Sequence, residues 1–224
     1  YCVVPYVRGR LRHRDCGAIL DEVAAAVGAG ITHITLLGQN VNSYNSVHSP
    51  QSTVHGKINF VNLLRKVSEI RGLKSLSFVT CHPKDTTQEL FEALCDIPVI
   101  KKSLHMPLQS GSDKILKLMN RGYTVKKYMK LVDLYRQLVY NGQLSTDIII
   151  GFPGETDDDH RKTLELVKKV CFDAAYIFKY SPRPHTKASL LVDDVPRDIK
   201  EKRHAELLGI QKEISKKLKI KNEK

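Results

Sequence analysis

Residues 144–155 read LSTDIIIGFPGE. The first seven are short, largely β-branched and closed by glycine and proline, which marks a buried strand running into a turn. Asp157, Asp158 and Asp159 then put acid where a helix N-terminus favours it. The segment therefore reads strand, turn, helix, and the same pattern extends in both directions. Ile31–Leu37 (ITHITLL), Leu73–Val79 (LKSLSFV), Lys101–Leu108 and Phe172–Tyr180 have the composition of further buried strands. Helical spacing separates them. Asp15–Ala29 ends near Gly28 and Gly30. Thr86-x-x-Glu89 is spaced as a capping box before Leu90, Phe91 and Leu94. Thr124 precedes the three-and-four spaced stripe Val125, Tyr128, Leu131, Tyr135 and Leu138. Strands alternating with helices imply an α/β fold with a parallel sheet and right-handed crossovers. Five strands do not close an eight-stranded barrel, so the sheet is open, or is a partial barrel whose first strand lies upstream of residue 1. The Ser/Asn/His-rich stretch Asn42–Asn59 is the one long loop, a candidate lid or insertion.

Composition bounds the function. The chain has 224 residues, 42% hydrophobic and 27% charged, enough for one domain with a real core. No apolar run reaches the roughly 18 residues of a membrane span. A net charge of +12 points to a polyanionic partner or an acidic surface. The last 28 residues carry ten basic against five acidic side chains. They fit a helix starting at Pro196, with Leu207, Ile210, Ile214 and Leu218 as its apolar stripe. A docked helix with a solvated basic face is the simpler reading of that segment, and an RNA-facing surface the alternative. Five scattered cysteines (Cys2, Cys16, Cys81, Cys95, Cys171) with no CxxC pair argue for a reducing, cytoplasmic compartment, or a mitochondrial one in a eukaryote. Apart from Cys2, they read as small buried hydrophobes. There is no secretory signal, and a chain opening at Tyr1-Cys2 reads as a fragment of a longer product.

Each unusual motif falls just after a strand: Gly38–Asn42 (GQNVN), Thr80–Pro83 (TCHP), Gln109–Ser112 (QSGS), Gly151–Glu155 (GFPGE) and Ser181–Pro184 (SPRP). Active sites of α/β sheets and barrels sit at the C-terminal strand ends. Turn chemistry alone explains the Gly, Pro, Ser and Asn, but not Gln39, Gln109 or His82. QSGS lacks the lysine of a Walker motif and GFPGE is not a dinucleotide fingerprint. His82 and His105 lack metal-ligand spacing, and a hydrogen-bonded structural role fits both as well as catalysis does. Asp147 lies within an apolar run, where a carboxylate is costly unless paired or hydrogen-bonded. Gripping a ligand's hydroxyls at the mouth is its favoured reading.

Together these residues resemble a known family. Tyr1–Gly9 (YCVVPYVRG), Leu36–Asn42 (LLGQNVN), the HMPLQSGS run from His105, Asn120–Thr124 (NRGYT), the STDIIIGFPGET run from Ser145 and Tyr180–Pro184 (YSPRP) match, in order, the motifs of tRNA methylthiotransferases. These are radical S-adenosylmethionine enzymes. The resemblance covers essentially the whole chain and implies a partial (β/α)6 TIM-like barrel, here without its first strand. It implies a core over 1–195 and a helix over 196–224 leading toward an absent RNA-binding β-barrel domain.

The family's CxxxCxxC motif holds a 4Fe–4S cluster, soft thiolates suiting iron–sulfur. The resemblance makes Cys2 the third ligand and puts the other two before residue 1. A second 4Fe–4S cluster is implied for an absent N-terminal domain. S-adenosyl-L-methionine would meet Gln39 and Asn40 on its methionine side, with Arg121 pairing the carboxylate. Gln109 and Asp147 would contact the ribose, Ser110 lying in the same QSGS loop, and Gly151, Tyr180 and Arg183 would contribute to the adenine side. No side chain is implied as the catalytic residue, since the cofactor supplies the radical. Two departures from the family pattern stand out: Cys81 where Ser or Pro is expected, and His185 where Gly is usual. The implied activity inserts sulfur and a methyl group at carbon 2 of a modified adenosine beside the tRNA anticodon. PYVRG with GQNVN favours the isopentenyl-adenosine branch over the ribosomal-protein or threonylcarbamoyl-adenosine branches. Implied partners are tRNA and a reductant such as a flavodoxin or ferredoxin, with no membrane. A non-enzymatic RNA-binding remnant is the alternative of another class.

Overall fold

The computed structural model describes residues 1–9, 11–46 and 58–222; residues 47–57 of the expected lid lie outside them. In chain order the elements are α1 (Val4–Arg8), α2 (Cys16–Gly28), β1 (His33–Leu37), β2 (Asn45–Ser46), β3 (Ile58–Asn59), α3 (Phe60–Ser68), β4 (Ser75–Val79), α4 (Gln88–Asp96), β5 (Ser103–His105), α5 (Asp113–Leu118), α6 (Val125–Leu138), β6 (Gln143–Ile150), α7 (Asp157–Val170), β7 (Ala174–Lys179) and α8 (Arg197–Asn222). All five expected strands form, and the mixed α/β class stands. Not expected from the sequence were α1, the β2–β3 pair, α3 and α5. Helix α3 starts immediately after the expected loop, where the Asn59 side chain accepts from the Asn62 N–H at 2.8 Å.

The chain divides into two compact units. One comprises Leu11–His105 and Asp133–Gly142. In it β1 pairs parallel with β4, from His33 opposite Ser75 to Leu37 opposite Val79, and β2 pairs antiparallel with β3. Its core includes Leu64, Val67, Leu76, Phe91 and Leu94, all inaccessible. Phe60 meets Phe78, and Phe91 meets Tyr135, edge to face. The other unit comprises Tyr1–Arg10, Met106–Val132 and Gln143–Lys224. There β6 pairs parallel with β7 from Ser145 opposite Ala174 to Ile150 opposite Lys179. The stretch Met106–Gln109 runs along the other edge of β6, through Met106 N to Ser145 O and Gln109 N to Asp147 O. Helix α8 packs on β7 and α7. It buries Leu207 and Ile214 of the expected stripe and, unexpectedly, Lys200, Arg203 and Gln211.

Two local expectations are corrected. The capping box at Thr86 does not form. The helix is capped one residue later by Thr87, whose side chain caps nothing. The Thr86 hydroxyl is occupied elsewhere: it donates to His82 O and accepts from Asn42 Nδ2. A complete capping box stands instead at Thr156 and Asp159, opening α7. Of the four cysteines read as buried hydrophobes, Cys16 and Cys81 are buried, while Cys95 and Cys171 are only partly so. Their thiols point at backbone carbonyls, Leu138 O and Lys168 O, near the ends of α6 and α7.

Candidate active site

Strand β6 sets the site. Alternation along it buries Leu144, Thr146, Ile148 and Ile150, so Ser145, Asp147 and Ile149 share the opposite, half-buried face. Gln109 pairs alongside Ile148 of this strand: its N–H donates to Asp147 O at 2.8 Å and its carbonyl accepts from Ile149 N at 2.9 Å. Gln109 has φ of 71°, a left-handed conformation that costs a non-glycine residue of order 1–3 kcal/mol. Its side chain is 6% exposed, and Oε1 is buried with no hydrogen-bond partner. A strained residue holding an orphaned buried acceptor at a strand end is arranged to receive a donor such as a ligand hydroxyl.

The rest of this unit's site gathers around Tyr1. The Tyr1 ring meets Phe152 edge to face at 6.2 Å, and Phe152 meets Tyr180 at 5.0 Å. Burial pushes the Tyr1 phenol up to about 12, against the pull of Arg121, with Tyr123, Cys2 and Asp147 also within electrostatic reach. Arg121 Nε donates to Tyr123 OH at 3.1 Å, and its guanidinium lies 5.5 Å from that ring's centroid. Tyr123 OH in turn lies against Pro107 O and Leu108 O, the carbonyls leading into Gln109. The structure thus brings Gln109, Arg121, Asp147 and Tyr180 into one neighbourhood around Tyr1 and Phe152. Sequence reading passed over Tyr1 and Tyr123 as contributors; the aromatic residue next to Cys2 was the available signal.

Other expected residues are engaged differently. Ser110 is 1% exposed and its hydroxyl accepts from Ser112 N. Gly111 packs so closely on α7 that a Cβ would come within 2.5 Å of Thr163 Cα. The QSGS loop is therefore fastened to α7. Gly151 has φ of 66°, and its N–H donates to Glu155 Oε1 at 3.1 Å. Tyr180 donates its hydroxyl to Ala188 O at 3.0 Å. Arg183 and Cys2 are exposed. Gln39, exposed, and Asn40, half-buried, lie in the other unit after β1, where Gly38 N bonds Val79 O and Val41 N bonds Thr80 O. His82 is tied into local structure: its Nδ1 accepts from Lys84 N, while Asn42 bonds its N–H and carbonyl.

The profile of the radical SAM superfamily matches residues 1–167. The chain is 46% identical over 215 residues to a tRNA-2-methylthio-N(6)-dimethylallyladenosine synthase of Clostridium botulinum, and 42% identical over 215 residues to one of Corynebacterium jeikeium. Each alignment covers 96% of this chain but only 46% and 42% of the relative, so the chain spans less than half the length of these proteins. Among solved structures, coproporphyrinogen III oxidase (HemN) of Escherichia coli, described as a radical SAM enzyme, aligns with a TM-score of 0.51 at 20% identity, over 67% of this chain and 36% of that one. Streptococcus suis SuiB, bound to the precursor peptide SuiA, aligns with a TM-score of 0.51 at 14% identity, over 78% and 34%. These two likenesses concern the fold. That fold, parallel strands crossed by helices with no closed barrel among the described residues, agrees with the match along three-quarters of the sequence: the chain belongs to the radical SAM superfamily.

Proposed function

We propose that this chain is core sequence of a tRNA methylthiotransferase that modifies carbon 2 of an isopentenylated adenosine next to the anticodon. The observation that carries the proposal is the 46% identity to such a synthase over 96% of the chain, supported by the buried Oε1 of Gln109 that has no hydrogen-bond partner. Superfamily membership implies S-adenosylmethionine and a 4Fe–4S cluster. For the nucleoside part of the cofactor, Gln109 and Asp147 would take the ribose hydroxyls, in a unit whose core cluster contains the buried Phe152 and Tyr180. Arg121 would hold the carboxylate. The described residues do not by themselves fit the cluster. Cys2 is one thiol, and among the described residues no three His, Cys, Asp or Glu side chains converge on a metal position. Cys2 is proposed as one ligand of that cluster, with a second cluster in another part of the parent protein. When bound, S-adenosylmethionine supplies the radical; these residues orient it and exclude water. A small reductant protein in the cytoplasm is the proposed electron source, and no helix of the described residues is long and apolar enough to cross a membrane.

The test is nucleoside mass analysis of tRNA from cells lacking the encoding gene, with and without the full-length product restored. The expected result is gain of the methylthio group on isopentenyl-adenosine. Gain on threonylcarbamoyl-adenosine or on a ribosomal protein, or no modification together with retained RNA binding, would reject this assignment.

A further inference from the structure

Helix α8 sends two basic side chains inward: Arg203 ends on the loop that follows β6, and the stem of Lys200 crosses it to reach Asp193. Arg203 is 6% exposed. Its Nη1 donates to Glu155 Oε1 at 2.8 Å and lies 3.2 Å from Glu155 O, while Nη2 donates to Asp157 Oδ1 at 2.7 Å. The same Glu155 Oε1 accepts the Gly151 N–H. One carboxylate oxygen therefore links the helix to the first residue after the strand. Burial pushes the Glu155 carboxyl above its ordinary range, against the opposing pull of the Gly151 N–H and the Arg203 guanidinium. Lys200 covers the other side of the turn. Its stem lies where a Gly151 Cβ would point, with Cγ 2.4 Å from that position. Its Nζ bonds both oxygens of Asp193 at 2.6 and 2.7 Å and stands 5.5 Å from the Tyr180 ring centroid. The neighbouring Asp194 takes the Gly154 N–H at 2.7 Å.

A buried ion pair is an expensive way to hold a helix, because desolvating both charges offsets most of their attraction. A well-packed apolar pair in place of Arg203 and Glu155 would dock α8 about as well. What the charged fork adds is direction: it fixes Glu155, and through Glu155 the turn at Gly151.

We infer that Arg203 and Lys200 are positioning residues that set the strand-end loop 151–155 from helix α8 and so tune its grip on a nucleoside. The inference rests on reading that loop as part of the nucleoside wall. Arg203→Met alone would strand the Glu155 charge in a dry site and endanger folding. The informative variant is the double change Arg203→Met with Glu155→Gln, which keeps an oxygen for the Gly151 N–H but removes the charged latch. Arg203→Lys, which keeps the charge but not the fork, is its companion.

Each is made in the full-length protein and followed by amide hydrogen exchange and by calorimetric titration with S-adenosylmethionine. In the double variant, exchange over 151–157 should rise at least about tenfold while α8 stays protected. Affinity should fall about tenfold, ~1.4 kcal/mol. Arg203→Lys should fall between the double variant and wild type in both readouts. Wild-type exchange over 151–157 in both variants overturns the inference. Faster exchange with unchanged affinity keeps the latch and overturns the nucleoside reading of the loop.

Discussion

His185 has φ of 68°, the left-handed region that glycine enters freely and a residue with a side chain only at a cost. It is also where the sequence departs from the family pattern, in which Gly is usual. The backbone keeps the turn although the side chain has changed. Thr186 holds it closed, its N–H and hydroxyl both reaching Arg183 O. His185→Gly should therefore stabilise the protein by about 0.5–1 kcal/mol, relief of strain outweighing the added freedom of the unfolded chain. A urea denaturation midpoint that falls in the variant would refute this. At the β6 end the strain at Gln109 has no such substitute, because the unusual φ carries the side chain whose Oε1 lacks a partner. Its neighbour Asp147 gives the sharper test. A hydrogen bond to a charged acceptor is worth about 1.5–3 kcal/mol, so Asp147→Asn in the full-length protein should weaken S-adenosylmethionine binding at least about tenfold. The thermal midpoint should hardly move, and calorimetric titration beside a melting curve separates the two effects. Unchanged affinity would make Asp147 a structural carboxylate.

Helix α7 is the element whose stability is most plainly tied to a charge. Asp159, 3% exposed, accepts from Ser112 Oγ at 2.6 Å, from Thr156 N and Oγ1 at 3.0 and 2.8 Å, and from Lys114 Nζ at 3.1 Å. Burial pushes its carboxyl up, but the bonds from Ser112, Thr156 and Lys114 outweigh burial and hold it well below the usual carboxylate range. A carboxyl depressed in the folded state stabilises fully above its unfolded value near ~4, and loses that contribution as the pH falls through the folded value. Asp159→Asn should cost about 2 kcal/mol at pH 7, and its gap from wild type should narrow by about 1 kcal/mol between pH 5 and pH 3. A gap independent of pH, by urea denaturation at each pH, would show that the charge is immaterial. The same contacts explain what the sequence could and could not tell. Strands were legible because burial leaves an apolar run, as in Ile148 and Ile150, and α7 because Asp157, Asp158 and Asp159 stand at its start. The link between Ser112 and Asp159 was not legible, since 47 residues separate them. Arg203 and Glu155, 48 apart, were hidden in the same way. On α8 the apolar stripe drew attention while two buried cations lay beside it. The Thr86 box failed because spacing records which residues are near in sequence, not which competitor, here Asn42 and His82, reaches the hydroxyl first.

Charge is the property that belongs to the whole molecule. The excess of +12 is more than folding needs, and its densest part lies on α8, whose inner face is consumed by packing and by the Arg203 and Lys200 latches. What remains outside is basic. Lys212, Lys216, Lys217 and Lys219 are exposed, and three of them border a groove of about 470 Å³ also lined by Asp173 and Ala174, at the start of β7. A folded tRNA presents closely spaced phosphates, and each lysine that meets one releases a condensed counterion, so affinity falls as salt rises. Five to six such contacts would lower affinity by about 10³ between 50 and 200 mM salt. Replacing Lys216, Lys217 and Lys219 by Ala in the full-length protein should remove up to three of them and reduce the salt slope by about 2–3 in log–log units. S-adenosylmethionine cleavage should be untouched, because these lysines lie outside the strand-end site. Filter binding of tRNA across a salt series measures the slope directly. Had the lysines only solvated a docked helix, the triple variant would keep the wild-type slope, and the RNA-facing reading of α8 would be rejected.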